Sequence, residues 1–181
     1  MSKTKRTALC GVLTALALAL SYTERFIPLQ LVIPLPGVKL GLANIVTLIA
    51  LYLLGTKEAF LILIPRCVLG AVFGGGITGL FFSLTGGILA MAIMALAKRI
   101  PIFSVYGVSI LGAAAHNVGQ IGAAMVLMES VYIGAYLPYL LIVALFTGFA
   151  TGAAGGGVIR AVSASSEAYR YQSQQHGGTE I

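Results

Sequence analysis

Aspartate is missing from this 181-residue chain altogether, and the acidic residues are five glutamates, Glu24, Glu58, Glu129, Glu167 and Glu180. That excludes much chemistry. Enzymes that bind magnesium diphosphates do so through Asp-rich clusters, and ATP hydrolysis needs a phosphate loop with a Walker-type Asp. The glycine runs "FGGGITG" and "TGAAGGG" lack the Lys-Ser/Thr of a phosphate loop, and neither GxSxG nor HExxH occurs. Cysteine is scarce too: Cys10 and Cys67 lie far apart inside apolar runs without a CxxC pattern, as packed thiols do rather than a disulfide or metal site. No catalytic residue, metal or cofactor is expected, and the chain reads as a non-enzyme.

Charge is the other scarcity, and what fills its place is apolar. Charged residues make up 9% of the chain against 59% hydrophobic residues, with a mean hydropathy of +0.99. Such a chain cannot hide its apolar surface inside a water-soluble domain. A bilayer span takes about 20 mainly apolar residues, and six such stretches occur, at about 7–26, 40–55, 58–74, 78–97, 104–127 and 135–160. The expected fold is all-α, a polytopic membrane protein of six transmembrane helices. Residues 1–162 form the transmembrane domain, and the Ser- and Gln-rich segment 163–181 is a flexible polar tail.

The basic start "MSKTKR" before an apolar run has the form of a signal peptide, but the run continues to Phe26 and further membrane-like segments follow, so it reads as an uncleaved first helix. Lysine and arginine then set the orientation. With the N-terminus inside, Lys3, Lys5, Arg6, Lys57, Lys98, Arg99, Arg160 and Arg170 fall on the cytoplasmic side, leaving Arg25 and Lys39 outside and Arg66 within a span. Both termini are thus expected in the cytoplasm of a multi-pass cell-membrane protein. The net charge of +6 is accounted for by topology and anionic lipid headgroups, with no nucleic acid partner.

A few polar residues are not explained by topology. Arg66, in "FLILIPRCVLGAVFGGG", is far from either end of its span. Placing an Arg there costs about 3 kcal/mol even on lenient insertion scales, so it is expected to face a polar interior or a ligand, or to pair with Glu24. In "VIPLPGVKLGLANIVTL", Pro34, Pro36 and Gly37 forbid a regular helix before about Val38, so Lys39 and Asn44 fall in the first turns of a short span. A cation at a helix N-terminus opposes the dipole unless an anion offsets it; snorkelling of Lys39 to headgroups is the alternative. His116, Asn117 and Gln120 stand in "LGAAAHNVGQIGAA", with His116 and Gln120 on one helix face among small residues that allow close helix approach. Interhelical hydrogen bonds would explain each alone. Together with Arg66 they read as the polar part of a binding cavity, walled by residues such as Phe73, Phe81 and Phe82. On the first helix Gly11, Ala15 and Ala19 form a small-residue stripe suited to a partner helix or to ordinary packing.

The segments "PGVKLGLANIVTLIALYLLG", "LIPRCVLGAVFGGG", "FFSLTGGILAMAIMAL" and "GAAAHNVGQIGAA" occur in this order over nearly the whole chain. In them the chain resembles the Gx transporter family, labelled heptaprenyl diphosphate synthase component I, which is similar to the substrate-binding S components of energy-coupling factor transporters. The resemblance implies a six-helix S-component-like bundle with a ligand near its outer face, a transmembrane coupling protein and two ATPases as partners, and docking of the coupling protein on the first-helix stripe. The function expected is the specificity subunit of an importer for a small anionic or amphipathic solute. The alternative is a non-catalytic membrane accessory protein of isoprenoid or quinone synthesis.

Overall fold

In the computed structural model, residues 3–26 and 41–176 are described, and all regular structure among them is helical. Six α-helices follow one another: α1 (Lys3–Thr23), α2 (Asn44–Leu53), α3 (Thr56–Gly70), α4 (Gly76–Ala97), α5 (Val105–Leu127) and α6 (Leu137–His176). Large apolar side chains such as Val12, Leu61, Val72, Ile142, Phe146 and Phe149 stand exposed around the bundle. That much outward apolar surface is what a helical bundle turns towards lipid. Among the described residues, four continuous helical stretches are long and apolar enough to cross a membrane, one of them spanning residues 56–97.

That longest stretch is two helices folded back on each other. Phe73 and Gly74 leave helical geometry, and Gly74 has φ +105°, a conformation that costs an L side chain about 1–2 kcal/mol and glycine nothing. Beyond the turn, Cys67 Sγ reaches the Ser83 carbonyl at 3.6 Å, and a methyl placed on Gly87 would meet Leu63. The pairing therefore runs antiparallel, as a hairpin. Pro65 sits inside α3, where its missing N–H removes one helical bond without ending the helix.

α1 runs in the same direction as α3: Arg6 pairs with Glu58 at 3.0 Å at one end, and Leu18 approaches Gly70 near the other. α4 against α5 and α5 against α6 are antiparallel, the latter pair tied by the Ser109–Thr151 hydroxyl bond at 2.8 Å. Consecutive helices thus alternate in direction. Lys3, Lys5, Arg6, Lys57, Lys98, Arg99 and Arg160 all gather at one end, together with the start of α1 and the outgoing part of α6. α6 continues as helix through Val162 to His176, so no break in the backbone marks the start of the tail.

α2 is the centre of the molecule. It touches all five other helices, and Val46 to Leu51 are buried without interruption, so it is enclosed on every side. With 10 residues it is only about 15 Å long, half the thickness of a bilayer core. It starts at Asn44, later than the start at about Val38 that the prolines suggest. Gly41 has φ +81° and accepts from the Asn44 N–H at 2.8 Å, forming a turn that delays the helix. At the opposite end its last carbonyls are held by cations from two neighbours, Leu51 O by Lys98 Nζ at 2.7 Å and Leu54 O by Arg6 at 3.1 Å.

Candidate functional site

The short central helix ends inside the bundle, and polar side chains from its neighbours gather around its first residue. Arg66, from the inner face of α3, is 7% exposed and donates from Nη2 to Asn44 Oδ1 at 3.0 Å. Its Nε has no hydrogen-bond partner among the described residues. Glu24, in the single 3-10 turn that ends α1, is 5% exposed; its Oε1 accepts from the Leu42 N–H at 3.0 Å, just ahead of α2. Its charge also acts on Arg66 through space, although the guanidinium's hydrogen bond goes to Asn44. Ala43, the residue capping α2, offers no side-chain bond to the first-turn amides.

α4 and α5 close the other side of this cluster. A methyl on Gly86 would sit 2.9 Å from His116 Nδ1 and 3.0 Å from the His116 carbonyl oxygen. One on Gly87 would lie 3.6 Å from Arg66 Nη2. Adjacent glycines of α4 thus give room to the imidazole and to the guanidinium. His116 is also near the turn: a Cβ on Gly41 would be 3.6 Å from His116 Cδ2 and 2.9 Å from Asn44 Nδ2. Gln120, one turn further along the same face of α5, is fully buried.

The residues singled out in the sequence are therefore distributed as follows. Asn44 and Arg66 touch, and His116 is brought beside Asn44 across Gly41. Asn117 turns the other way and donates to the Leu140 carbonyl at 2.8 Å, bracing α5 against α6. Lys39 lies outside the described residues. Among the aromatic walls expected, Phe82 is buried in an apolar cluster with Ile121, Ala124 and Leu140, Phe81 is partly exposed, and Phe73 lines a separate hollow. The sequence reading missed the part played by Gly86 and Gly87. A Gly-Gly pair in a span signals close approach but not which side chain enters the gap.

Outside the cluster, α1 turns Gly11, Val12, Ala15, Leu16 and Ala19 away from the bundle, and nothing lies within 4 Å of a methyl placed on Gly11. Ala15 and Ala19 line an apolar hollow of about 530 Å³ with Leu18, Ser21, Tyr22, Gly70 and Phe73. The small-residue stripe is thus an open, partly concave face rather than an internal contact. Among the described residues no three His, Cys, Asp or Glu side chains come together in a way that would hold a metal ion.

Neither a curated protein nor a solved structure matches the chain. One family profile does, over residues 13–158, which takes in the buried cluster, the open face of α1 from its middle onward and every helix of the bundle. The chain belongs to the family described as heptaprenyl diphosphate synthase component I.

Proposed function

We propose that this chain is the substrate-binding subunit of an energy-coupling factor type importer, taking a small anionic or amphipathic solute. The observation that carries the reading is the buried Arg66 guanidinium, held at the start of a half-length central helix with an unused donor. A cation kept at that depth suits an oxyanion brought from outside. Asn44, Arg66, His116 and Gln120 would surround the head group, with Lys39 joining them from the segment ahead of Asn44. Asn117 has one donor committed to Leu140 and braces the wall.

The same reading gives the outer face of α1 a task. A binding subunit without its own motor needs a surface for one, and Gly11, Ala15 and Ala19 leave a face smooth enough for a helix of a coupling protein. Two ATPases would complete the assembly at the basic end, which the positive-inside rule places in the cytoplasm. The chain itself is read as non-catalytic. The family description favours a second reading, in which a "component I" is the membrane partner of a second, catalytic subunit of prenyl diphosphate synthesis.

Co-purification separates the two. Tagged protein co-expressed with the coupling protein and both ATPases is expected to retain them, Gly11→Leu with Ala15→Leu is expected to release them, and the pure chain is expected not to turn over isopentenyl diphosphate. Failure to retain any of the three would sink the importer reading. Retention of a prenyl synthase subunit instead would establish the second.

A further inference from the structure

We infer that Glu24 is an internal stand-in for the ligand's acidic head, seated at the start of α2, and that an anionic ligand binds by taking its place. This rests on the solute-binding part of the function proposed above, not on coupling to ATPases.

The first argument is electrostatic. A carboxylate 5% exposed within an apolar bundle is costly unless something compensates it. Glu24 is compensated by the Leu42 N–H at 3.0 Å and by the nearby charge of Arg66. The start of α2 has no side-chain cap; its Asn44 and Ile45 amides are taken by the Gly41 and Leu42 carbonyls at 2.8 and 3.0 Å, and the positive end of the helix dipole favours negative charge at that place. Glu24 is an anion supplied by the chain itself where a helix start and a cation converge.

The second argument is that the seat is only half used. Nε and Nη2 of an arginine lie on one edge of the guanidinium and form a fork matching two oxygens of one anion. Here Nη2 meets the single carboxamide oxygen of Asn44 at 3.0 Å, while Nε has no hydrogen-bond partner among the described residues. Arg66 is buried over more than nine-tenths of its surface, so water does not serve the orphaned donor cheaply. A carboxylate or phosphate would fill both prongs, whereas the Glu24 carboxylate is engaged by the Leu42 N–H at the helix start. An arriving anion with Glu24 in place would set two negative groups against one guanidinium, so Glu24 has to yield. The ligand class is an amphiphile whose head carries two or more oxygens on an anionic centre.

The test uses the full chain in lipid nanodiscs, titrated with octanoate, octyl phosphate and octanol. Glu24→Gln removes the internal charge and keeps the shape. It is expected to bind at least one of the two anions about tenfold more tightly than the native chain, since like-charge opposition worth more than about 1.4 kcal/mol is removed. Octanol binding is expected to stay unchanged, and adding Arg66→Gln should abolish the gain. Octanoate alone gaining marks a carboxylate ligand, octyl phosphate alone a phosphate. Equal or weaker anion binding by Glu24→Gln, a gain shared by octanol, or no binding of either anion to both proteins would overturn the inference. Should Glu24→Gln not fold, Glu24→Asp decides in its place: the shorter carboxylate retreats from the Leu42 N–H, and tighter anion binding supports the exchange while unchanged or weaker binding refutes it. A gain in anion affinity without co-purified ATPases would leave the seat standing and the importer reading refuted.

Discussion

At the scale of single residues, Arg66 was legible from sequence because an arginine in mid-span is expensive wherever it points. Its partner was not. The sequence left a structural ion pair with Glu24 open, and the fold instead puts the Asn44 amide on Nη2 and the Glu24 carboxylate on the Leu42 N–H. Which of two polar groups a guanidinium meets depends on differences of an ångström between helices, and residue types carry no such information. The distinction has a consequence for substitution. If Arg66 were only a counter-charge to Glu24, lysine would replace it. A lysine ammonium is a point charge without the planar fork. Arg66→Lys is therefore expected to melt within a few degrees of the native protein while losing roughly tenfold or more in octyl phosphate affinity, about the 1.4 kcal/mol of one charge-assisted hydrogen bond. Arg66→Gln, which leaves a buried carboxylate without its nearby cation, should cost about 3 kcal/mol of stability as well. Thermal unfolding followed with and without octyl phosphate checks both. Equal affinity for the Lys and Arg proteins would show that the fork has no role.

At the scale of elements, the apolar runs located the helices but not the ends that matter. The span expected at about 40–55 is a helix over Asn44–Leu53, and the difference is functional, because the half-length helix places its N-terminus inside the bundle. Hydrophobic pattern could not reveal this: Gly41, Leu42 and Ala43 carry no polar side chain, and it is the left-handed backbone at Gly41 that sets them apart from α2. The α4–α5 crossing was similarly hidden among small residues. A methyl on Gly119 would lie 2.7 Å from the Thr85 carbonyl oxygen and 2.8 Å from Gly86 Cα, both backbone atoms that cannot turn aside. The same crossing positions His116 against Gly86. Gly119→Ala is thus expected to destabilise by about 1–3 kcal/mol, the usual cost of overpacking. Gly122→Ala, three residues on and with nothing within 4 Å, should stay within about 0.5 kcal/mol of the native protein. Melting of the two variants in matched detergent provides the comparison, and equal midpoints would mean that the crossing is not the tight contact described.

For the whole molecule, the most legible property was the distribution of charge. Read along the sequence, lysine and arginine divide between the two sides with a strong bias. In the fold, alternation of six helices brings Lys3, Lys5, Arg6, Lys57, Lys98, Arg99 and Arg160 to one end, and Glu24, Asn44, Arg66, His116 and Gln120 into the other half. The two halves differ in kind. At the basic end Arg6 and Lys98 hold the last carbonyls of α2 and fix the central helix, while at its other end the helix start is left to a removable carboxylate. An importer requires that arrangement to have one sense, with the ligand cluster facing outward and the basic end facing the ATPases. Single cysteines can read it, because the native Cys10 and Cys67 are both buried. On intact cells a membrane-impermeant maleimide is expected to label Tyr132→Cys, whose native side chain is 85% exposed in the turn before α6. Lys3→Cys and Ser163→Cys, at the basic end, should react only after the cells are opened. The opposite pattern would put the Glu24–Arg66 cluster on the cytoplasmic side, where it could not collect a solute from outside, and uptake would have to be given up in favour of a partner in synthesis.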